Sequence, residues 1–372
     1  MLGFRLNKLG AATRSGLDPR SLFSGGSVGF LGYPLVVYQD SATPPVTVAT
    51  TVGDLIGTMV SQVTGNFTWR QATAGSKTTL GSIPRGGRRN RLNATAVLST
   101  QSVTVPALQM TLSMTGTGTI TLSGVSTAGP LVGTGASNVV SLTFTPTAGS
   151  LTCTVSGSCT LVQLETGAVR TNYQDVVNAY TITESGVPTL QMPYFGGDDF
   201  AELSVSGTGV SELNASADYF ADTGHSWAVG LVYSTFTLAG QMLFGKGTIG
   251  TVAPLSIQLD SVAGDLRGRV RGGTSGLLSN SVNTCDGAFH TCLFVCDNGV
   301  VTSYFDNDAP LSVNVGVAVE ETLNLLLGAR NSAAPNSFYT GFMAATALFS
   351  FAPSASQIAQ YRSWSKSYYG SP

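Results

Sequence analysis

Thr111-Leu-Ser-Met-Thr, Thr119-Ile-Thr-Leu-Ser, Val140-Ser-Leu-Thr-Phe-Thr and Leu151-Thr-Cys-Thr-Val alternate an apolar residue with a hydroxyl residue at every step. A period of two marks a strand with one buried and one open face, and β-branched Thr and Val favour the pleated backbone. Gly116-Thr-Gly, Gly133-Thr-Gly and Ser156-Gly stand between these runs as turns. No Asp, Glu, Lys or Arg occurs anywhere in residues 92–164. The pattern predicts a small antiparallel β-sandwich over residues 92–170, with hydroxyls where charges usually sit. Cys153 and Cys159 flank Val155-Ser-Gly-Ser, read as a hairpin tip, which would allow a cross-strand contact between them.

Before this module, residues 1–91 read as an irregular basic arm with short extended pieces. Leu22-Phe is followed by Gly25-Gly, then a strand at Leu35-Val-Val-Tyr, a turn at Gln39-Asp-Ser-Ala, and Pro44-Pro. The arm ends in Pro84-Arg-Gly-Gly-Arg-Arg-Asn-Arg, read as a flexible, solvated boundary. Nucleic-acid binding by these arginines is disfavoured because no aromatic residue is interleaved to stack on bases. After the module, residues 171–192 read as a connector. Residues 193–372 then carry predicted strands at 201–205, 226–233, 241–244, 255–259, 266–271, 290–296, 300–305, 323–327 and 342–351, separated by Gly, Asp and Asn turns. Many short strands at this spacing describe one large jelly roll. It ends in a helix opened by Ser354 or Ser356 as N-cap, with Ile358, Tyr361, Trp364 and Tyr368 on one stripe and Gly370 as the stop.

Composition excludes several classes. Only 10% of the 372 residues are charged, against about 25% in an average soluble domain. With 42% hydrophobic residues the chain nevertheless has ample material for packed cores. Gly, Ser and Thr interrupt every apolar run before it reaches the ~20 residues of a membrane span, so no membrane insertion is expected. The start, Met1-Leu-Gly-Phe-Arg-Leu-Asn-Lys-Leu-Gly, lacks the continuous apolar run of a secretory leader. Net charge is −2, but residues 1–91 hold ten Lys or Arg and three Asp, so a basic first quarter precedes an acidic body. Five cysteines form no disulfide scaffold, and Cys292 and Cys296 are spaced to face one core. With no CxxC and two histidines, zinc is not expected.

Phe195-Gly-Gly-Asp-Asp-Phe-Ala-Glu-Leu, Ser226-Trp-Ala-Val-Gly-Leu-Val-Tyr, Gly287-Ala-Phe-His-Thr-Cys-Leu-Phe-Val-Cys-Asp-Asn-Gly and Phe338-Tyr-Thr-Gly-Phe-Met-Ala-Ala-Thr-Ala-Leu-Phe follow one another in a familiar order. That succession resembles the concanavalin A-like, laminin-G-like jelly roll over about 180 residues. Earlier stretches, Leu22-Phe-Ser-Gly-Gly, Tyr38-Gln-Asp-Ser-Ala-Thr-Pro-Pro-Val-Thr, Gly129-Pro-Leu-Val-Gly-Thr-Gly-Ala-Ser-Asn and Val162-Gln-Leu-Glu-Thr-Gly-Ala, are similar to structural proteins of tailed-bacteriophage virions. The resemblance implies a virion surface protein of the tail-fibre, tail or head-decoration kind. It would be made in the host cytoplasm, dock on other virion proteins through its arm, and form a homo-oligomer, plausibly a trimer. Its lectin-like module would face a host glycan.

Catalytic chemistry finds little support. Glycoside hydrolysis needs two carboxylates about 5–9 Å apart, and Glu165, Glu184, Glu202 and Glu212 form no pair by spacing, while adjacent Glu320 and Glu321 would point to opposite strand faces. Gly224-His-Ser-Trp-Ala mimics a nucleophile elbow but leads into a strand instead of a helix. His290 reads as a strand residue making a structural hydrogen bond. Glycine-rich Gly116-Thr-Gly has no lysine for phosphate. Arg267, Arg269 and Arg271 align on one sheet face, read as solvated. Loop oxygens of Asp198, Asp199, Asp306 and Asp308, with Asn307, are candidate calcium ligands; Asp198-Asp199 can equally close the Gly196-Gly197 turn, and Asp306-Asn-Asp can be a plain hairpin turn. The expected function is non-enzymatic glycan binding at a virion surface, with a structural cement protein or a carbohydrate-active enzyme as alternatives.

Overall fold

Alternation over residues 111–155 becomes two small facing sheets. The computed structural model describes residues 18–23, 29–31, 36–41, 45–63, 67–205, 226–246, 255–261, 264–271, 274–280, 282–316, 325–330 and 334–371. One sheet has the order Leu131–Val132, Thr119–Gly124, Gly149–Ser156, Gln101–Val105; the other has Gly135–Phe144, Met110–Gly116, Cys159–Thr166. Met110, Leu112, Met114, Ile120, Leu122, Leu151, Val162 and Leu164 fill the space between them. Hydroxyls meet across strands, on the exposed face where Ser102 lies 2.7 Å from Thr152 and at a buried position where Thr115 lies 2.8 Å from Thr160, each pair directly opposite in register. The Ser102–Thr152 pair stands where a charge pair usually stabilises an exposed sheet face.

The turn at Ser156-Gly157 is a corner between sheets, not a hairpin tip. Gly149–Ser156 belongs to one sheet and Cys159–Thr166 to the other, so Cys153 and Cys159 are both buried in the shared core as free thiols. The turns after Gly116 and Gly133 cross between sheets in the same way, and the three corners stack. Gly118 N–H donates to the Ser158 carbonyl, and Gly133 N–H donates to the Gly118 carbonyl. A Cβ on Gly133 would lie 2.3 Å from the Gly116 oxygen, which is why these corners are glycine.

The large module is a jelly roll of two facing sheets. The first runs Gln174–Asn178, Thr181–Glu184, Thr78–Pro84, Thr189–Phe195, Gly341–Phe349, Trp227–Ser234, His290–Asp297, Val300–Phe305, Leu311–Asn314, with Gly29–Leu31 paired to Gly341–Phe349 and Leu55–Ile56 paired to Thr78–Pro84. The second runs Val36–Tyr38, Thr58–Val60, Phe67–Arg70, Ala201–Val205, Leu325–Leu327, Gln241–Lys246, Leu255–Leu259, Leu266–Arg271, Ser275–Ser279. Trp69, Phe244, Ile257, Val229, Leu231 and Phe294 pack between them, joined by Cys292 and Cys296 as their spacing required. The chain is therefore all-β, a small β-sandwich and a jelly roll with one α-helix among the described residues.

The expected irregular arm over 1–91 is not separate. Within residues 29–84 every described strand pairs into a jelly-roll sheet, and the expected connector over 171–192 supplies two strands of the first sheet, Gln174–Asn178 and Thr181–Glu184, and the start of a third, Thr189–Phe195. The small sandwich is thus inserted between two portions of the jelly roll. Short strands broken by Gly and Pro look irregular in sequence because their partners lie far along the chain: Phe67–Arg70 pairs with Ala201–Val205. Residues 1–17 lie outside the described residues.

The helix Ala355–Tyr369 is capped by Ser354, whose hydroxyl accepts the Gln357 N–H while the Gln357 side chain reaches back. It ends at Gly370 with φ +73. Ile358, Tyr361, Trp364 and Tyr369 are buried against the outer face of the first sheet, where Ala228, Gly230, Ala344, Ala345 and Ala347 leave room. Tyr369, not the expected Tyr368, completes the buried stripe, and its hydroxyl donates to the Ala344 carbonyl at 2.9 Å.

Candidate functional site at the seam between modules

Pro84-Arg-Gly-Gly-Arg-Arg-Asn-Arg91 leaves a jelly-roll strand and enters the small sandwich, so its polar groups must be met inside the junction. Arg88 donates to the Thr166 and Val169 carbonyls at 2.5 Å each, with its Nε 3.4 Å from the Glu165 carboxylate. Arg89 is 1% exposed, donates to the carbonyls of Pro84 and Gly86, and lies over the Phe289 ring. Asn90 accepts the N–H groups of Leu92 and Leu164, and its amide donates to the carbonyls of Val162 and Gln174. Arg91, 6% exposed, donates to Thr104 and Cys285 carbonyls and sits 4.6 Å above the Phe236 ring.

The expected solvated, flexible boundary is therefore corrected to a buried polar seam. Arginine tolerates this burial because its guanidinium is weakly hydrated and offers a planar fork of donors to converging carbonyls. Burial pushes the pKa of Arg89 and Arg91 down to about 10, opposed for Arg89 by Glu184 and Asp286 and for Arg91 chiefly by Asp286. Both remain cations at neutral pH.

Above the seam lies a cleft of about 250 Å³ between the modules. Asn93, Val103 and Thr104 come from the small sandwich; Tyr194, Phe236, Thr237 and Thr340 come from the jelly roll; Arg89 and Arg91 line it as well. None of its lining residues is Asp or Glu. Hydroxyls, an amide, aromatic rings and cations facing one concavity can bind a polar ligand that has both ring faces and hydroxyls.

The calcium candidates do not meet. Asp199 accepts the Gly196 N–H at 2.8 Å and donates its own N–H to the Gly196 carbonyl, closing the Gly196-Gly197 turn. Burial, opposed by that N–H and reinforced by Asp198, raises the Asp199 pKa to about 6. Asp306 is spent elsewhere: its carboxylate takes His290 Nδ1 at 2.7 Å and the Thr291 N–H at 2.8 Å. Exposed Asp308 contributes its carbonyl to Arg362. The two turns follow strands four positions apart in the first sheet, on the order of 19 Å by strand spacing. Among the described residues no group of three His, Cys, Asp or Glu side chains is placed to hold a metal ion.

The other sequence candidates are placed as follows. Ser226 precedes a strand, as expected, and donates to Asp297 at 2.7 Å. Arg267 is not simply solvated but pairs with Asp260 at 2.5 Å and Asp265 at 3.2 Å, while Arg269 is exposed. Glu165 is buried under Gln163 and Thr171, and Glu184 accepts from Gln174. His225, Glu212, Glu320, Glu321 and the side chain of Arg271 lie outside the described residues.

His290 is buried, with Asp286 on Nε2 at 3.1 Å and Asp306 on Nδ1 at 2.7 Å. Burial alone would lower its pKa, but hydrogen bonds and charge from both aspartates outweigh it and raise the value to about 9. With both ring nitrogens engaged, no nucleophile can be activated; the imidazolium clamps the turn at Asp306 to the loop at Asp286. A pKa raised on folding contributes stability that is complete below about 6.5 and lost as pH rises through about 9. Denaturant titrations at pH 6.5 and 9.5 are expected to show this loss in the native chain and to show much less of it in His290→Gln.

Phe236, Thr237 and the seam arginines were not legible as site residues. One signal was present: Arg, never Lys, fills the 85–91 stretch, as burial favours.

No protein-family model matches the chain, and no curated protein matches it in sequence. Among solved structures, it is similar to the CBM40 domain of the Ruminococcus gnavus IT-sialidase, with 14% identity over 38% of this chain and 84% of that one and a TM-score of 0.31. The binding domain of Paraclostridial Mosquitocidal Protein 1 aligns at 8% identity over 46% of this chain and 43% of that one, TM-score 0.34. A heptameric SAP-like pentraxin from Limulus polyphemus aligns at 11% identity over 45% and 80%, TM-score 0.28.

Proposed function

We propose that the chain is a non-enzymatic, glycan-binding surface protein of a tailed-phage virion, acting as a homo-oligomer attached to other virion proteins. The cleft at the seam carries the binding half of this reading. Its aromatic, hydroxyl, amide and guanidinium groups match the mixed apolar and polar faces of a sugar, and its walls hold no carboxylate pair for hydrolysis. The virion half rests on the resemblance of the sequence stretches quoted above. Repetition of a weak site in an oligomer would raise its effective affinity.

A glycan array probed with the whole chain is expected to show binding that Thr104→Trp abolishes, because Thr104 is exposed on the cleft wall. An array with no signal overturns the glycan reading. Mass spectrometry of purified particles is expected to find the chain; its absence overturns the virion reading.

A further inference from the structure

Arg89 and Arg91 both line the cleft. Each guanidinium carries five N–H donors and spends two on backbone carbonyls, which are neutral. The Nε of each is buried without a hydrogen-bond partner. Neither forms an ion pair among the described residues; Asp286 and Glu184 act on them through space alone. Asp286 is in turn engaged by His290. Two cations nine-tenths buried, with no carboxylate in contact, break the rule that buried charges are paired. The protein keeps them beside an open concavity, where a ligand can bring the missing charge.

We propose that this cleft binds an acidic sugar, a glycan unit bearing a carboxylate, with Arg89 and Arg91 as its cationic wall. The Phe236 ring backs the Arg91 guanidinium at 4.6 Å, and Thr104, Thr237 and Thr340 on the cleft wall supply hydroxyls for the sugar's own. The inference rests on the glycan-binding reading above and narrows it to one ligand class. Lysine would serve less well here, since after two carbonyls its strongly hydrated ammonium keeps one N–H for an anion where a guanidinium keeps three.

The test is calorimetric titration of the whole native chain. The ligands are the methyl glycosides of a hexuronic acid and of a nine-carbon sugar acid, the uncharged amide of each, acetate, sulfate, and an acidic peptide. At least one acid is expected to bind ten-fold or more tightly than its own amide, and the difference is expected to shrink between 0.05 and 0.5 M salt. Arg91→Gln is expected to equalise acid and amide; the native comparison stands even if that variant fails to fold. Acid and amide binding alike, or neutral sugars alone binding, overturns the acidic-sugar inference and leaves the glycan reading intact. Acetate or sulfate binding as tightly as the sugar acid, or the peptide binding more tightly, overturns it in favour of a different anion. If no sugar binds at all, both fall.

Discussion

Asn90→Ala is expected to destabilise the protein by about 3–5 kcal/mol, because the lost side chain strands several buried backbone groups, each worth about 1–3 kcal/mol when left unpaired. Its oxygen accepts the N–H groups of Leu92 and Leu164 and its amide donates to the Val162 carbonyl, all three in the small sandwich, while the amide's second bond goes to the Gln174 carbonyl in the strand Gln174–Asn178. Asn90 is itself 1% exposed, so water cannot take over these bonds. The loss should fall on the union of the modules before it falls on either core. Differential scanning calorimetry is expected to show the earlier, smaller transition of a released sandwich; an unchanged single transition would refute the role given to the seam.

Tyr361→Ala should cost a similar amount, about 3–5 kcal/mol, the usual range for deleting a large buried aromatic side chain. Its ring is 1% exposed and lies so close to Gly230 that a Cβ there would be 2.7 Å from it. It also packs edge-on to Phe349 and beside Trp364. The informative contrast is Tyr361→Phe. The Tyr361 hydroxyl is buried with no hydrogen-bond partner, so removing it deletes a desolvated polar atom and should leave stability equal or slightly improved. A Phe variant as weak as the Ala variant, measured by urea unfolding, would show that the hydroxyl, and not the ring, holds the helix.

The strands were legible wherever local pattern carries the information. Runs such as 111–115, 255–259 and 300–305 matched because alternation is a property of neighbouring residues, and the helix matched because its cap, stripe and glycine stop are all within the seventeen residues Ser354 to Gly370. The expected hairpin at Ser156-Gly157 failed for a different reason. A turn motif states that the chain reverses, and both a hairpin and a corner between sheets reverse it. Which one forms depends on whether Cys159 pairs beside Cys153 or across the core, and that is decided by Met110–Gly116 pairing with Cys159–Thr166.

The same division separates the candidate site from the expected ones. Asp306 has the composition of a cation ligand, yet its two oxygens are taken by the His290 ring, sixteen residues away, and by the Thr291 N–H. Arg89 and Arg91 have the composition of a solvated linker, yet carbonyls from Thr104 and Cys285 converge on Arg91.

Residue pattern alone established the all-β class, the two cores and the terminal helix, since each follows from side-chain periodicity over a few residues. Folding alone established that the small sandwich interrupts the jelly roll, that the basic stretch is buried, and that a cleft opens over it. Those features are made by strands and carbonyls brought together from distant parts of the chain, and hydrogen-bond partners of that kind leave no mark on the residues nearby.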